Sequence, residues 1–384
     1  MMILIAPRLF DGETFSENVA VQIEGDRIAA VLPADTLPPD LGRHVLPEGS
    51  LLAPGLIDIQ VNGGGGLLLN DSPTPETLAG IAAAHLRYGS TSILPTLISG
   101  NAALRAAALA ATRAALAAGT PGVAGLHIEG PFLSPARHGI HPASAMVLPT
   151  EADLESLCAP FPAPLLVTLA PERVPSAAVA RLVAAGRIVF AGHTDADCAT
   201  ASAAFAAGVR GVTHLFNAMS PFAHRAPGTV GAALDCPGAY AGLIADGAHV
   251  HPAAVRLAFA AKGPGRICLV SDAQPPAAST LTGFTLNGQR IELRDGRLVD
   301  SSGTLAGAHL TLAECVRHAV RSIGLSLPAA LRSATATPAE AVGLADRGHI
   351  APGLRADLVA FDSDLRVHGV WHAGTPVPGA GAQE

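Results

Sequence analysis

Three residues that commonly bind metals follow apolar stretches at well-separated points of the chain. Glu129 follows LHI, His193 follows IVFAG and His214 follows GVT. One carboxylate and two neutral imidazoles suit Zn²⁺, with Fe²⁺ as the alternative, and leave a coordination position for water. A metal held in this way lowers the pKa of its water to about 7, which favours hydrolysis near neutral pH. A single histidine among the chain's 15 more often has a structural role than a metal-binding one. Only the three residues together therefore predict the metal site.

Asp272 is a further polar residue at the end of an apolar stretch, ICLVS. A carboxylate in this position is expected to take a proton from water and later deliver it to a leaving amine. The structural alternative is a helix cap, which the proline pair shortly after Asp272 disfavours. Glu172 is expected to brace a loop instead, and Asp246 to orient the loop that carries His249.

Two patterns that indicate a second metal are missing from the sequence. The first apolar stretch ends in Gln60-Val61-Asn62 where a His-x-His pair would hold another ion, and amides are poor ligands beside imidazoles. A carboxylated lysine can also bridge two metals. Lys262 is the only lysine, and it precedes the eighth apolar stretch instead of following the fourth. One divalent metal per subunit is therefore expected.

These polar residues need elements that bring distant parts of the chain to one edge. Near-continuous apolar stretches are typical of parallel strands buried on both faces. Eight of them, mostly separated by helical patterns, predict a (βα)8 TIM barrel with its active site at the C-terminal ends of the strands. A doubly wound open sheet is the alternative, but the glycine-rich dinucleotide fingerprint is missing. The stretches are LIDIQVN, TSILPTL, GLHIEG, LLVTLAPE, RIVFAGHT, GVTHLFN, AGLIADG and ICLVSDA.

Helix signals support this alternation of strands and helices. Thr74 is predicted to cap a helix that ends at Gly89, and Asn101 a helix that ends at Gly119. A third helical pattern, DCATASAAFAAG, runs to Gly208.

Both ends of the chain carry a different pattern. Residues 1 to about 50 and the last forty residues contain short alternating stretches around glycine turns, which are typical of β-strands. We therefore expect an α/β protein with a small β-sandwich domain built from both termini, residues 1–52 and 346–384. The barrel domain would occupy residues 53–345.

The composition excludes several other classes of protein. Only 14% of the 384 residues are charged and the net charge is −7, so no basic surface for nucleic acid is indicated. The five cysteines are dispersed, which fits reduced thiols, and the N-terminal residues lack a signal-peptide pattern. Arg105 and Arg113 interrupt the longest apolar helix, which is inconsistent with a membrane span. A cytoplasmic protein without nucleic-acid or membrane partners is expected.

Several motifs resemble those of the N-acetylglucosamine-6-phosphate deacetylases of the amidohydrolase superfamily, and the similarity runs almost end to end. GLHIEGP and THLFNAM are the most specific, whereas GHIAPGLRADLVAFD is common to many amidohydrolases. The matching segments are APGLIDIQVNGGGG, GLHIEGPFLSP, HGIHP, GHTDA, VTHLFNAMSPFAHRAPG, LIADGAHVHP, VSDA and GTLAGAHLTL.

The resemblance implies a role for each residue of the predicted centre. Glu129, His193 and His214 would hold the metal, and Asp272 would serve as general base and acid. His141 would polarise the acetamide carbonyl and stabilise the tetrahedral oxyanion. The implied reaction is hydrolysis of N-acetyl-D-glucosamine 6-phosphate to D-glucosamine 6-phosphate and acetate.

The resemblance also implies how the substrate, a small phosphorylated amino sugar, would be held. Arg225 would meet the phosphate from the neighbouring subunit, since a guanidinium suits phosphate geometry. A homodimer is implied by this role. The remaining expected substrate contacts, besides His141, are Ile140, Asn217, Ala218, His249, Leu305, Ala306 and Gly307.

Two other functions remain open on the sequence. Another amidohydrolase activity, on N-acyl amino acids or cyclic amides, would leave the phosphate contacts expected of Arg225 and Asn217 unexplained. A catalytically silent barrel would be expected to have lost part of the metal set, which is complete here. The segment after Asp272 and the residue His309 depart from the expected family pattern, so the preference between related sugars is not fixed by the sequence.

Overall fold

A computed structural model describes residues 1–38 and 42–381 of the protein. Its strands are β1 (Met2–Phe10), β2 (Phe15–Glu24), β3 (Arg27–Pro33), β4 (His44–Val45), β5 (Leu51–Pro54), β6 (Leu56–Val61), β7 (Gly63–Gly64), β8 (Leu67–Leu68), β9 (Ser90–Ile98), β10 (Leu126–Glu129), β11 (Leu165–Leu169), β12 (Ile188–Ala191), β13 (Gly211–Val212), β14 (Tyr240–Ile244), β15 (Ile267–Val270), β16 (Gly283–Leu286), β17 (Gln289–Arg294), β18 (Arg297–Val299), β19 (Leu358–Phe361), β20 (Val367–His372) and β21 (Thr375–Pro376).

The α-helices lie mostly between the strands of the middle of the chain. They are α1 (Pro75–Leu86), α2 (Ala102–Ala117), α3 (Glu151–Cys158), α4 (Ser176–Ala184), α5 (Cys198–Ala206), α6 (Gly228–Asp235), α7 (Pro252–Lys262), α8 (Leu312–His318), α9 (Leu327–Ala334) and α10 (Ala336–Val342). The predicted caps are confirmed, because the side chain of Thr74 accepts from Thr77 N at 3.2 Å and that of Asn101 from Leu104 N at 2.8 Å. None of the helices in the described ranges has the length and hydropathy needed to cross a membrane.

The predicted barrel is confirmed. Its strands pair in chain order, β6, β9, β10, β11, β12, β13, β14 and β15, and every pairing is parallel. Each strand corresponds to one of the eight apolar stretches. The order is that of a barrel and not of a doubly wound sheet, in which the strand order would reverse.

Side-chain and backbone hydrogen bonds together close the barrel between its first and last strands. In the described part of the chain β6 and β15 share no continuous ladder, and the Asp58 carboxylate bridges them by accepting from the backbone N–H of Ser271 at 3.3 Å. Just above, Asp272 N donates to Gln60 O and Asn62 N donates to Ala273 O. Burial raises the pKa of Asp58 to about 7. This seam sets the ends of the two strands side by side.

Strands from both termini form one mixed sheet in the order β21-β20-β19-β5-β1-β2-β3, with β4 paired to β1. Successive side chains of a strand point to opposite faces of the sheet, so alternate residues pack into two different hydrophobic cores. Leu52 and Leu358 pack into the core of the sheet itself, whereas Leu51 and Val359 pack against the barrel. The strand β5 spans the expected boundary between residues 52 and 53. The domain division stays a proposal, and its residues 39–41 and 382–384 lie outside the described ranges.

A three-stranded antiparallel sheet, β16-β17-β18, was not predicted from the sequence. It follows the last barrel strand and packs its apolar residues on Leu68, Ile98 and Ile140. Asn287-Gly288 and Asp295-Gly296 join its strands with positive φ angles at all four residues. These dipeptides are strong hairpin signals, so the sheet was detectable in the sequence.

The barrel interior is filled by side chains, which generates a stability prediction. Leu166 of β11 is fully buried there, whereas Leu257 of α7 is 68% exposed. Leu166→Ala should lower the free energy of unfolding by about 2–5 kcal/mol because it leaves a cavity. The matched change Leu257→Ala should stay within about 0.5 kcal/mol of wild type. Urea unfolding followed by circular dichroism measures both, and similar losses would contradict a packed interior.

Candidate active site

A cavity of about 580 Å³ lies at the C-terminal ends of the barrel strands. Two of the sequence-predicted residues do not line it: Arg225 is exposed on the loop before α6, and Ala306 is buried in the apolar cluster beneath the three-stranded sheet. The predicted residues that the cavity brings together are Glu129, Ile140, His141, His193, His214, Asn217, Ala218, His249, Asp272, Leu305 and Gly307.

The centre of the cavity contains a carboxylate between two imidazoles. Glu129 Oε1 lies 3.0 Å from His214 Nε2 and 3.3 Å from His193 Nε2, and the two Nε2 atoms are 3.0 Å apart. Burial opposes ionisation of Glu129, but the two adjacent imidazoles outweigh it and hold its pKa well below the usual value. Two nitrogens and one carboxylate oxygen that converge in this way fit a divalent metal.

The tautomer of one imidazole is fixed by the loop after β10. His193 Nδ1 lies 2.9 Å from the backbone oxygen of Arg137, to which it donates. The lone pair of Nε2 is therefore directed to the cluster, as a metal ligand requires. The other imidazole differs, since His214 Nδ1 has no hydrogen-bond partner among the described residues although it is buried.

Three of the ionisable residues at the centre of the site adopt a strained backbone conformation. The φ angles of His193, His214 and Asp272 are 48°, 36° and 51°, in the left-handed region that non-glycine residues rarely occupy. Such strain clusters at functional sites, where the surrounding structure maintains it. All three side chains line the cavity.

Asp272 lies at the seam of the barrel, where an amide from the first strand holds it. Asn62 Nδ2 donates to Asp272 Oδ1 at 2.7 Å. Burial, aided by the charge of Glu129, raises the pKa of Asp272 to about 6, which suits a group that both accepts and returns a proton. Gln60 Nε2 similarly lies 3.2 and 3.3 Å from the two oxygens of Glu129. Both amides of the first strand thus donate to carboxylates.

His141 faces the cluster from the loop after β10. Its Nε2 lies 3.9 Å from Glu129 Oε2, and its ring centroid is 4.3 Å from that of His193. Ser99 approaches the other ring nitrogen, with its Oγ at 2.8 Å and its backbone N–H donating at 3.4 Å. Burial and the neighbouring histidines lower the pKa of His141 well below its usual value. The ring is therefore neutral, with Nδ1 as acceptor and Nε2–H available to the cavity.

The expected bracing roles of two carboxylates are confirmed. Asp246 Oδ2 lies 2.7 Å from His249 Nδ1, and its Oδ1 accepts from two backbone N–H groups at 2.9 Å. Glu172 accepts from Thr194 Oγ1 and from the N–H of Asp195, both at 2.6 Å. These bonds fix the loops after β14 and β12.

Several residues that line or support the cavity were not predicted from the sequence. Ser99 directly follows the second barrel strand, so its position at a strand end was a usable signal. Arg137 and His138 lie in a loop whose path no periodic pattern reveals. The other lining residues without a predicted role are Asn62, Ile98, Ala136, Gly139, Ile244, Gln274, Gly303 and Thr304.

The chain that forms this cavity is similar to known proteins. The model of the family described as "Amidohydrolase family" matches residues 51–377. The chain belongs to the amidohydrolase family. It is 42% identical to an N-acetylgalactosamine-6-phosphate deacetylase of Shewanella sp. (strain ANA-3), over 87% of this chain and 85% of the relative.

Other similar proteins carry a related name. The chain is 36% identical to an N-acetylglucosamine-6-phosphate deacetylase of Haemophilus influenzae, over 92% of this amidohydrolase and 93% of the relative. The crystal structure of N-acetylglucosamine-6-phosphate deacetylase from Pasteurella multocida superposes with a TM-score of 0.93 at 34% identity, covering 98% of this chain and 99% of that one.

The ligand set of this amidohydrolase is tested by metal content. His214→Ala should weaken binding of a divalent metal by more than about 100-fold, since even residues outside the ligand shell commonly contribute 10- to 100-fold. His85→Gln is the control, because His85 is equally buried but bonds Gly63 O away from the cluster. Metal per chain is measured by mass spectrometry after dialysis against a weak chelator. Full retention by His214→Ala, or two metals per wild-type chain, would contradict the assignment.

The hydrogen bond from Asn62 to Asp272 predicts a kinetic defect. Asn62→Ala should lower kcat about 10- to 100-fold, because a hydrogen bond to a charged group contributes about 1.5–3 kcal/mol. The metal content should not change. Asn101→Ala, which removes only the cap of α2, should leave kcat within about twofold once its stability is accounted for. Steady-state kinetics of both variants measure the effect. An unchanged kcat in Asn62→Ala would exclude a role of Asn62 in positioning Asp272.

Proposed function

We propose that this amidohydrolase converts N-acetyl-D-glucosamine 6-phosphate to D-glucosamine 6-phosphate and acetate. The observation that carries the proposal is the convergence of Glu129, His193 and His214 with Asp272 and His141 in one cavity. The names of the similar proteins support an N-acetylated sugar phosphate as substrate.

We propose one divalent metal per subunit, held by Glu129, His193 and His214, with Zn²⁺ preferred and Fe²⁺ as the alternative. The nitrogen and oxygen donor set suits both ions. A metal bound there would supply water of lowered pKa and would polarise the acyl oxygen. The amide donors of Gln60 and Asn62 face the carboxylates, which supports a single ion.

Asp272 is the proposed base and acid of the reaction. Hydrolysis breaks the C–N bond of the acetamide, joins the oxygen of water to the acetyl carbon and leaves a proton to be placed on the amine. Asp272 accepts that proton from water and returns it to the departing nitrogen. The bond from Asn62 fixes Oδ1, so Oδ2 remains for the transfer.

His141 is proposed to stabilise the oxyanion that forms on the acetyl group. Its neutral ring is held by Ser99 at Nδ1, so Nε2–H donates into the cavity. A donor that is already oriented requires no reorganisation as charge develops on the acyl oxygen.

The remaining site residues are proposed to hold the sugar and its phosphate. The loop residues Asn217 and Ala218 and the braced His249 line the cavity. The exposed position of Arg225 on the loop before α6 supports contact with the cavity of a neighbouring subunit, and we propose a cytoplasmic homodimer. The other residues proposed to contact or close over the substrate are Ile140, His141, Leu305, Ala306 and Gly307.

The 4-epimer of the sugar is a second candidate substrate. N-acetylgalactosamine-6-phosphate deacetylases occur among the similar proteins beside the glucosamine enzymes. Both phosphorylated sugars therefore belong in the same assay.

Acetate release tests the function and the role of Asp272 together. Metal-loaded protein should release acetate from N-acetylglucosamine 6-phosphate much faster than from unphosphorylated N-acetylglucosamine. Asp272→Asn should reduce the rate about 10²- to 10⁴-fold, the usual contribution of general acid–base catalysis. Asp35→Asn, in the exposed turn that follows β3, is the control and should be unaffected.

The outcomes separate the parts of the proposal. No acetate from either phosphorylated sugar would overturn the substrate, and N-acyl amino acids would be tested next. Release by wild type and Asp272→Asn at equal rates would overturn the role of Asp272 alone.

A further inference from the structure

We infer that Arg137 binds the phosphate group of the substrate and comes from the same chain as the metal ligands. The inference rests on the proposed function, since it assigns a residue to the phosphate of the proposed substrate. Among the described residues that line the cavity, Arg137 is the only arginine or lysine. It is therefore the one permanent positive charge that a single chain places at this site.

The backbone of Arg137 is fixed relative to the reaction centre. Its carbonyl oxygen accepts from His193 Nδ1 at 2.9 Å, and Ser134 N in the same loop donates to His193 O at 2.8 Å. The loop is thus bonded on both sides to one of the proposed metal ligands. The backbone from which the Arg137 guanidinium extends is therefore anchored beside the proposed metal site.

The side chain of Arg137 is oriented at only one of its nitrogens. Nε donates to Asp195 Oδ1 at 2.8 Å, and no described residue accepts a hydrogen bond from the two Nη atoms. The guanidinium is about one-third exposed. It is therefore held in place while two nitrogens with their hydrogens remain available to a ligand.

The partner carboxylate places Arg137 beside the proposed sugar-phosphate contacts. Asp195 follows Thr194, whose N–H donates to Ala218 O at 3.1 Å. Ala218 lines the cavity next to Asn217, and the N–H of Ala218 has no acceptor among the described residues. These contacts link the Arg137 guanidinium, through Asp195 and Thr194, to the segment that carries the unpaired N–H of Ala218.

This combination matches the chemistry of a phosphate monoester. A guanidinium donates two parallel hydrogen bonds to phosphate oxygens, and an unpaired backbone N–H adds a neutral donor. A phosphate monoester carries up to two negative charges, and the guanidinium of Arg137 is the permanent cation that the described lining of the cavity offers to it. Asp195 offsets part of the charge of Arg137, and its removal should strengthen phosphate binding.

Kinetics on phosphorylated and unphosphorylated substrates test the assignment. Arg137→Gln should raise KM for N-acetylglucosamine 6-phosphate about 10- to 100-fold, as expected for loss of a charged hydrogen-bonding pair. The inhibition constant of glucose 6-phosphate, which has the phosphate but no acetamide, should rise in parallel. The value of kcat/KM for unphosphorylated N-acetylglucosamine should change less than about twofold, because no phosphate is lost from the contact.

Three further variants sharpen the test. Arg137→Lys should recover part of the affinity, and Asp195→Asn should lower the inhibition constant of glucose 6-phosphate. Arg181→Gln removes another arginine paired with a carboxylate, Glu151, outside the cavity, and should leave all these constants unchanged.

Each result either supports or overturns the role of Arg137. An equal loss on both sugars would mean that Arg137 only maintains the loop around His193, and an unchanged KM would exclude contact with phosphate. If wild type itself shows no preference for the phosphorylated sugar and is not inhibited by glucose 6-phosphate, the proposed substrate fails as well. A wild-type preference that survives in Arg137→Gln overturns the role of Arg137 alone.

Discussion

The structure depends on keeping one carboxylate ionised where water has little access. Glu129 is only 2% exposed, and an unpaired charge at such a position would be strongly unfavourable. Groups from three different strand ends surround it, namely the imidazoles of His193 and His214 and the amide of Gln60. The barrel is the framework that holds these groups in place, and the same convergence prepares a site for a cation.

The seam between the first and last barrel strands positions Asp272, the proposed catalytic base, beside this carboxylate centre. Asp58 accepts from the backbone N–H of Ser271, and the backbone of residues 60–62 bonds that of residues 272–273, which brings Asn62 to Asp272. The contacts that close the barrel therefore also determine where the proposed base lies. Stability of the fold and placement of the proton-transfer group share one set of contacts at this edge.

Hydrogen bonds in the loops after β10 and β12 connect the proposed metal site to the residues proposed to contact the substrate. His193 bonds the loop that carries Arg137 and His141, and Glu172 holds the loop after His193. Each of these polar contacts joins residues from different strand ends. The cavity is thus a network in which a proposed ligand, the proposed oxyanion donor and the proposed phosphate contact are fixed to one another.

The sequence by itself determined the barrel, its eight strands and the chemical type of the centre. Apolar stretches that end in Glu129, His193, His214 and Asp272 were sufficient, because strand ends of a parallel barrel meet at one rim. Only the tertiary structure decided the seam at Asp58, the left-handed turns at the site residues and the position of Arg137 beside Asp195. These features depend on loop paths between residues distant in sequence, and no local pattern of residues encodes such distances.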